Sequence, residues 1–140
     1  MKYLLMMISL VAIGFFATSC SVNPSSTLSV DGQWTGTKDF SVLGNLIVDL
    51  DLNELSGVVA GSGEIVIETV ATQPTIIPAP IVAGSFDDPD VTIYIIPTKV
   101  TFEGKVNSDN TKIIGKLILA DIKEYIDIED QEFDFEFVKK

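Results

Sequence analysis

The chain has 140 residues, enough for one domain, and carries a formal net charge of −11 from 9 lysines against 20 aspartates and glutamates. It contains no histidine and no arginine, which removes the imidazole base, the histidine metal ligand and the guanidinium clamp for phosphate. An acidic chain without a basic patch is not expected to bind nucleic acid. A single cysteine excludes an internal disulfide and a cysteine-based zinc site.

The first twenty residues have the pattern of an export signal. Lys2 precedes an apolar run, Tyr3–Ala17, which has the length of a signal-peptide core and is too short to span a bilayer. The run ends in Ala17-Thr18-Ser19-Cys20, which resembles the lipobox of bacterial lipoproteins, with alanine where leucine is commonest. The resemblance implies cleavage before Cys20 and acylation, as by palmitate, of its thiol. The alternatives are an ordinary secretory peptide with a chance cysteine and an uncleaved anchor.

The predicted organisation follows from this anchor. We expect a signal peptide over residues 1–19, the lipidated cysteine and a serine-rich tether over 20–30, and one domain over 31–140. Several acyl chains hold a protein stably in a bilayer, so acylated Cys20 predicts the membrane as a partner. Ser21, rather than aspartate, follows the cysteine, and in the enteric sorting rule this favours the outer membrane, with the domain facing the periplasm or the cell surface.

Short alternating segments separated by turn residues predict an all-β domain of antiparallel strands. The eight predicted segments are Gly32–Asp39, Asn45–Asn53, Val58–Glu68, Ile81–Phe86, Val91–Ile96, Lys99–Val106, Lys112–Leu119 and Gln131–Lys139. Prolines at 74, 78, 80, 89 and 97 are expected between strands, where they remove no ladder bond. The apolar segment 75–81 is predicted to be a loop covering one mouth of a barrel. Residues 121–130 fit one helical turn or a strand extension.

Two hairpins can be registered from the sequence. A turn centred on Asp109-Asn110 places Val106 opposite Ile113, Gly104 opposite Gly115, Phe102 opposite Leu117 and Glu103 opposite Lys116. A four-residue turn over 54–57 places Leu52 opposite Val59, Leu50 opposite Gly61 and Val48 opposite Gly63. In both hairpins the glycines fall on the inward, apolar face. They either relieve crowding in a sharply coiled barrel or leave room for a ligand, and the first interpretation is favoured.

The opening Gly32-Gln33-Trp34 resembles the Gly-x-Trp start of the first lipocalin strand, and Gly32–Thr37 is equally similar to that of avidin-like barrels. The resemblance implies an eight-stranded up-and-down barrel, with an open β-sandwich as the alternative. Lipocalins often place an arginine against that tryptophan; here Lys139 or Lys140 would be an imperfect substitute.

A shallow cup for a small apolar ligand is the first functional hypothesis, and a filled-core structural or protein-interaction lipoprotein with an unknown protein partner is the second. The residues predicted to line the cup are Trp34, Val48, Gly61, Gly63, Phe86, Phe102, Gly104, Gly115, Leu117, Phe133 and Phe135. Tyr94 and Tyr125 are expected to cover a barrel end rather than to form contacts with a partner.

Catalysis and metal binding are not expected. The acidic segments Asp87–Asp90 and Glu124–Glu132 lack the spacing of a calcium loop, and we interpret them as solvated surface. Without histidine no Ser–His–Asp site can form, and exposed carboxylates lack the environment that separates an acid from a base. We therefore predict a protein without cofactor or catalytic residues.

Overall fold

The computed structural model describes residues 27–41, 44–69, 72–96, 98–120 and 131–140. These ranges contain eight strands and no helix. The strands are β1 (Gly32–Asp39), β2 (Asn45–Leu55), β3 (Val58–Glu68), β4 (Thr75–Asp87), β5 (Asp90–Ile96), β6 (Val100–Val106), β7 (Lys112–Leu119) and β8 (Gln131–Lys139). Each strand pairs antiparallel with its chain neighbours and β8 pairs with β1, so the sheet closes into an up-and-down barrel. The predicted fold class is confirmed, and the open sandwich is wrong.

The core lies inside this barrel because alternate side chains of every strand point to the same face. The largest fully buried side chains are Trp34, Phe102, Phe137, Leu46, Leu52, Ile65, Ile93, Ile95, Ile113, Leu117, Val30 and Val48. Burying one such side chain stabilises the fold by roughly 1.5–3 kcal/mol relative to leaving it in water. Most of the buried apolar side chains therefore lie at the alternating strand positions predicted from the sequence.

The β6–β7 hairpin has the predicted register. Phe102 pairs with Leu117, Gly104 with Gly115 and Glu103 with Lys116. Asn107 Oδ1 fixes the turn by accepting hydrogen bonds from the backbone N–H groups of residues 111 and 112, each at 2.9 Å. The turn residue Asn110 has a φ of 56°, which asparagine tolerates better than most residues. Turn chemistry and strand pattern agree here, so the register follows from both.

The β2–β3 register predicted from sequence is wrong by two residues. Leu52 pairs with Gly61 and Leu50 with Gly63, because both strands continue to the pair Leu55–Val58. Only Ser56 and Gly57 form the turn, with φ values of 54° and 81°, the left-handed pair of a tight two-residue hairpin. A shift of two preserves the inner and outer faces, so the glycines remain inward.

The predicted loop over residues 75–81 is instead the first half of β4, which corrects both that prediction and the placement of Pro78 and Pro80. Residues 75–79 pair with β3. Gly61 pairs with Val82 and Gly63 with Ala79, so two residues of β4 oppose one of β3 in a bulge. The prolines are tolerated because a bulge and a strand edge need fewer ladder bonds.

Two further boundaries differ slightly. Lys99, predicted to begin the sixth strand, lies in the preceding turn with a φ of 52°. Asp90, outside the predicted fifth segment, pairs with Asp87 and Lys105 and begins β5. Residues 121–130, with Tyr125 and most of the second acidic segment, lie outside the described residues, as does Pro97.

The barrel closes along a short seam. Register pairs join β1 and β8 only at Trp34–Lys139 and Thr35–Val138, whereas β6 and β7 share seven pairs. Lys140 N donates a further hydrogen bond to Gln33 O at 2.9 Å. The beginning of β1 and the end of β8 therefore meet at one end of the barrel, which we call the Trp34 end.

Candidate functional site

The structure places the predicted lining residues on the barrel's inner face. The buried members are Trp34, Val48, Phe86, Phe102, Leu117 and Phe135. Phe133 is partly buried and packs against the core. The four predicted glycines lie on the same inner faces of β3, β6 and β7. Cys20 lies outside the described residues.

An aromatic cluster fills part of the interior. Phe137 makes edge-to-face contacts with Phe102 and Phe135, with ring centroids 5.0 and 4.9 Å apart. Such pairs contribute about 0.5–1.5 kcal/mol beyond the area they bury. Phe137 was absent from the predicted lining set, although the alternation of Phe133, Phe135 and Phe137 with acids already placed it on the same face. The cluster occupies space that a ligand would need.

The inward glycines allow neighbouring strands to approach closely. A Cβ at Gly61 would lie 2.1 Å from the backbone oxygen of Asp51, and one at Gly63 would lie 2.1 Å from that of Asp49. These oxygens belong to the paired strand, so the space that a side chain would take is already filled by backbone. The glycines of β3 therefore fit a tightly coiled barrel.

The glycine pair of β6 and β7 is enclosed in the same way. A Cβ at Gly104 would lie 2.6 Å from the ring of Phe102, and one at Gly115 would lie 2.0 Å from the backbone oxygen of Glu103. The ring of Phe102 covers the place where Gly104 lacks a side chain, an arrangement that compensates for glycine in sheets. Neither glycine leaves open room inside the barrel.

The Trp34 end holds the residues on which the resemblance to lipocalins depended. Trp34 is fully buried, and its Nε1–H donates to the backbone oxygen of Val30 at 2.7 Å. Lys139 Nζ lies 5.2 Å from the centroid of the Trp34 ring, within the range of a cation–π contact. Of the two lysines considered in the sequence, Lys139 is the one that lies over Trp34.

Residues 28–31 cover this end. Val30 is fully buried and Leu28 packs against the core, so these residues belong to the barrel although the sequence assigned them to the tether. Ser29 N donates to Asn110 Oδ1 at 3.1 Å, and Glu54 N donates to Asp31 Oδ1. The segment is therefore tied to both the β6–β7 turn and β2.

The opposite end is also lined by aromatic side chains. Phe40 and Phe133 pack edge to face with centroids 4.9 Å apart. Lys38 Nζ lies 5.9 Å from the Phe133 ring and donates to the backbone oxygen of Asp134 at 3.4 Å. Leu46 and Leu119 are buried nearby on the inner faces of β2 and β7.

Several ion pairs lie on the outer surface of the barrel. Lys112 bonds Glu136 at 2.8 Å, and Lys116 bonds Asp134 at 2.9 Å and Glu132 at 3.4 Å. Lys116 therefore pairs toward β8 rather than with Glu103, its partner in the β6–β7 register. Hydrogen bonding to Lys116 and its charge lower the pKa of Asp134, and the same carboxylate raises the pKa of Lys116. These pairs are exposed, so each contributes little to stability.

Asp49 and Lys140 form a more enclosed pair. Lys140 Nζ lies 2.8 Å from Asp49 Oδ1. Burial raises the pKa of Asp49, but the adjacent Lys140 ammonium group and the Thr35 side chain outweigh it and hold the pKa below its ordinary value. The pair links the residue after β8 to β2 and so supports the seam from outside.

The interior offers little to catalysis. Among the described residues Thr98 is the one buried polar side chain, and its hydroxyl donates to Ile95 O at 3.0 Å. No group of three or more acidic or cysteine side chains in the described ranges comes together as a metal site. None of those ranges holds a helix that is long and apolar enough to cross a membrane.

The described residues line depressions of about 400, 290 and 370 Å³ on the outside of the barrel, each open to solvent. The largest runs across β5, β6 and β7, where Glu103 and Lys105 line it. The smallest contains Asp49 and Lys140, which are already paired. Four residues of the predicted cup, Gly63, Gly104, Gly115 and Phe135, contribute to these outer depressions.

No family model, no curated protein and no solved structure matches the chain. The class of protein that the fold defines is a closed eight-stranded antiparallel β-barrel with an apolar core.

Proposed function

We propose that this chain is a non-catalytic bacterial lipoprotein, anchored through acylated Cys20, whose filled barrel acts through its outer surface. The observation that carries the proposal is the enclosure of the inward glycines by backbone and aromatic rings, with the missing Cβ of Gly115 only 2.0 Å from Glu103 O. A barrel that used these glycines to make room for a ligand would have open space at those positions.

The anchor is supported by the sequence of the first twenty residues and by where the tether meets the barrel. Leu28 and Val30 pack at the Trp34 end, so a lipidated residue 20 would hold the barrel by that end. The proposed location is the outer membrane, with the domain facing the periplasm or the cell surface.

Fractionation of cells that express the full chain tests the anchor. The wild-type protein is expected in the detergent-extracted membrane fraction, and Cys20→Ser is expected in the soluble fraction. Ser21→Ala is the matched control, because it changes a neighbouring residue and keeps the thiol. Equal membrane association of the wild-type and Cys20→Ser chains would contradict acylation as the anchor.

Native mass spectrometry of residues 21–140, purified without detergent from a periplasm, tests the filled core. A single mass equal to the protein alone is expected, before and after a panel of lipids and small metabolites is added. A bound mass that disappears on denaturation would instead support the shallow cup, which stays a prediction until that measurement.

A further inference from the structure

We propose that the outer face of β4 and β5 is the docking surface for a protein partner that presents apolar side chains flanked by lysine or arginine. This inference rests on the proposed function only in assuming that the barrel acts through its outside. We call this surface the β4–β5 strip; it consists of Ile76, Pro78, Pro80, Ile81, Tyr94 and Ile96.

The strip is contiguous and exposed. Ile81 is directly opposite Ile96 in the β4–β5 register, and Tyr94 is opposite Ala83 two residues further along. Directly opposite residues of one face have Cβ atoms about 4.5–5.5 Å apart, so Ile81 and Ile96 are neighbours on this face. The exposed fractions are 60% for Ile76, 55% for Ile81, 49% for Tyr94 and 45% for Ile96. Tyr94 thus faces solvent, and the prediction that it covers a barrel end is wrong.

The strip differs from the outer face of β8, although exposed apolar side chains also lie elsewhere, at Leu55, Val58, Ile114 and Val138. On β8 the outward residues Glu132, Asp134 and Glu136 are all engaged by lysines of β7. On β4 no polar side chain interrupts the outward positions from Ile76 to Ala83. Solvated strand faces are normally polar, and contiguous exposed apolar surface marks an interaction site.

The edge of β4 determines how a partner can bind. Within the described ranges residues 75–79 pair only with β3 and Pro80 lies in the bulge, because β5 ends at Ile96, opposite Ile81. Pro78 and Pro80 have no backbone N–H, so this edge is a poor template for an added strand. A partner is therefore expected to dock its side chains on the face of the strip rather than extend the sheet.

Charge indicates the chemistry of the partner. Glu64 is opposite Pro78 on β3, and Glu103 lies on β6 two residues beyond Thr101, the partner of Tyr94. Both carboxylates are exposed, and neither forms an ion pair with another described residue. Lys99, in the turn after β5, already has an interaction of its own.

These flanking carboxylates complement cations on a partner. They also disfavour two other occupants. A second copy of this chain would bring the same exposed carboxylates to the interface, and anionic lipid headgroups would be repelled by them. A protein surface with an apolar centre and lysine or arginine at its margins would complement both the apolar strip and the carboxylates beside it.

Site-specific photocrosslinking in the host bacterium tests this surface with the full chain. A photoreactive phenylalanine analogue replaces Ile81 or Ile96 in the strip, and Ile114, which is 53% exposed on β7, is the matched control outside it. We expect one discrete product from both strip positions and none from the control. Its second component should be a different protein, crosslinked at an apolar segment that is flanked by lysine or arginine.

The double variant Glu64→Gln and Glu103→Gln should lower the yield of that product about tenfold, since it removes the charge complement without altering the strip. The proposal is overturned by no product, by a product of two copies of this chain, by a lipid adduct, or by equal products at residues 81 and 114. Fractionation of the same cells reports on the anchor separately. A membrane-bound chain without the strip product refutes the strip alone.

Discussion

Gly115→Ala should destabilise the barrel strongly, although the substitution adds a single methyl group. The new Cβ would lie 2.0 Å from Glu103 O and 2.4 Å from Gly104 Cα, both backbone atoms of β6. No rotamer change can relieve that overlap, so β6 and β7 must separate by roughly 1 Å or more. Overpacking typically costs about 1–3 kcal/mol, and backbone overlap favours the upper part of that range. Replacing glycine also lowers the entropy of the unfolded chain, which returns roughly 0.4–1 kcal/mol.

The expected net loss in the free energy of unfolding is therefore about 2 kcal/mol, or a fall in Tm of roughly 6–10 °C for a domain of this size. Urea unfolding followed by the emission of Trp34 measures it, because Trp34 is the single tryptophan and is fully buried. Ile114→Val is the control on the same strand, with an expected change within about 0.5 kcal/mol. A Gly115→Ala midpoint equal to that of the wild type would refute the argument that backbone fills this position.

Two predictions concern lysines at the Trp34 end. Lys139→Met keeps the aliphatic stem and removes the charge over Trp34, so we expect a loss of about 0.5–2 kcal/mol in the free energy of unfolding and a shift in tryptophan emission. Lys140→Met should leave the emission unchanged, and equal emission shifts would contradict the assignment of the contact to Lys139. The ion pair with Lys140 lowers the pKa of Asp49 in the folded chain, so it stabilises the fold above the unfolded pKa of about 3.9, and the effect is lost as the pH falls through the folded pKa. Lys140→Met should raise the Asp49 pKa in a carboxyl NMR titration, and an unchanged value would show that Lys140 does not set it.

The strands were predictable where one face is apolar and the other polar. β1, β3, β7 and β8 have the predicted boundaries, because period-two alternation specifies both the strand and its buried face. The β6–β7 register was predictable because turn residues and facing glycines agree. The β2–β3 register was not, because a slip of two residues leaves every side chain on its own face. The turn has two residues instead of four because Ser56 and Gly57 both adopt the left-handed backbone angles that a tight hairpin requires.

The first half of β4 was not predicted from the sequence because it contains Pro78 and Pro80. Prolines usually end strands, and only the bulge near Pro80 and the unpaired edge of β4 among the described residues make them acceptable. For the candidate site, the inner-face residues were correctly grouped from sequence. Whether inward glycines are open or filled depends on the distance between strands, which composition and alternation do not fix. The positions of Phe137 and Lys139 could have been predicted from the strand alternation. The exposed β4–β5 strip could not, because it depends on the first half of β4, which the prolines made look like a loop.

The short seam between β1 and β8 has a consequence for how the chain acquires its structure. Trp34 pairs with Lys139, so the contact that closes the barrel joins residues separated by nearly the whole domain. A ribosome makes Trp34 long before Lys139, and until the last strand emerges β1 can pair only with β2. Contacts of such high sequence separation fold slowly, because the loop entropy is lost before the contact is gained. The barrel therefore cannot close before β8 has been synthesised, and the β1–β8 seam is expected to be the last pairing to form.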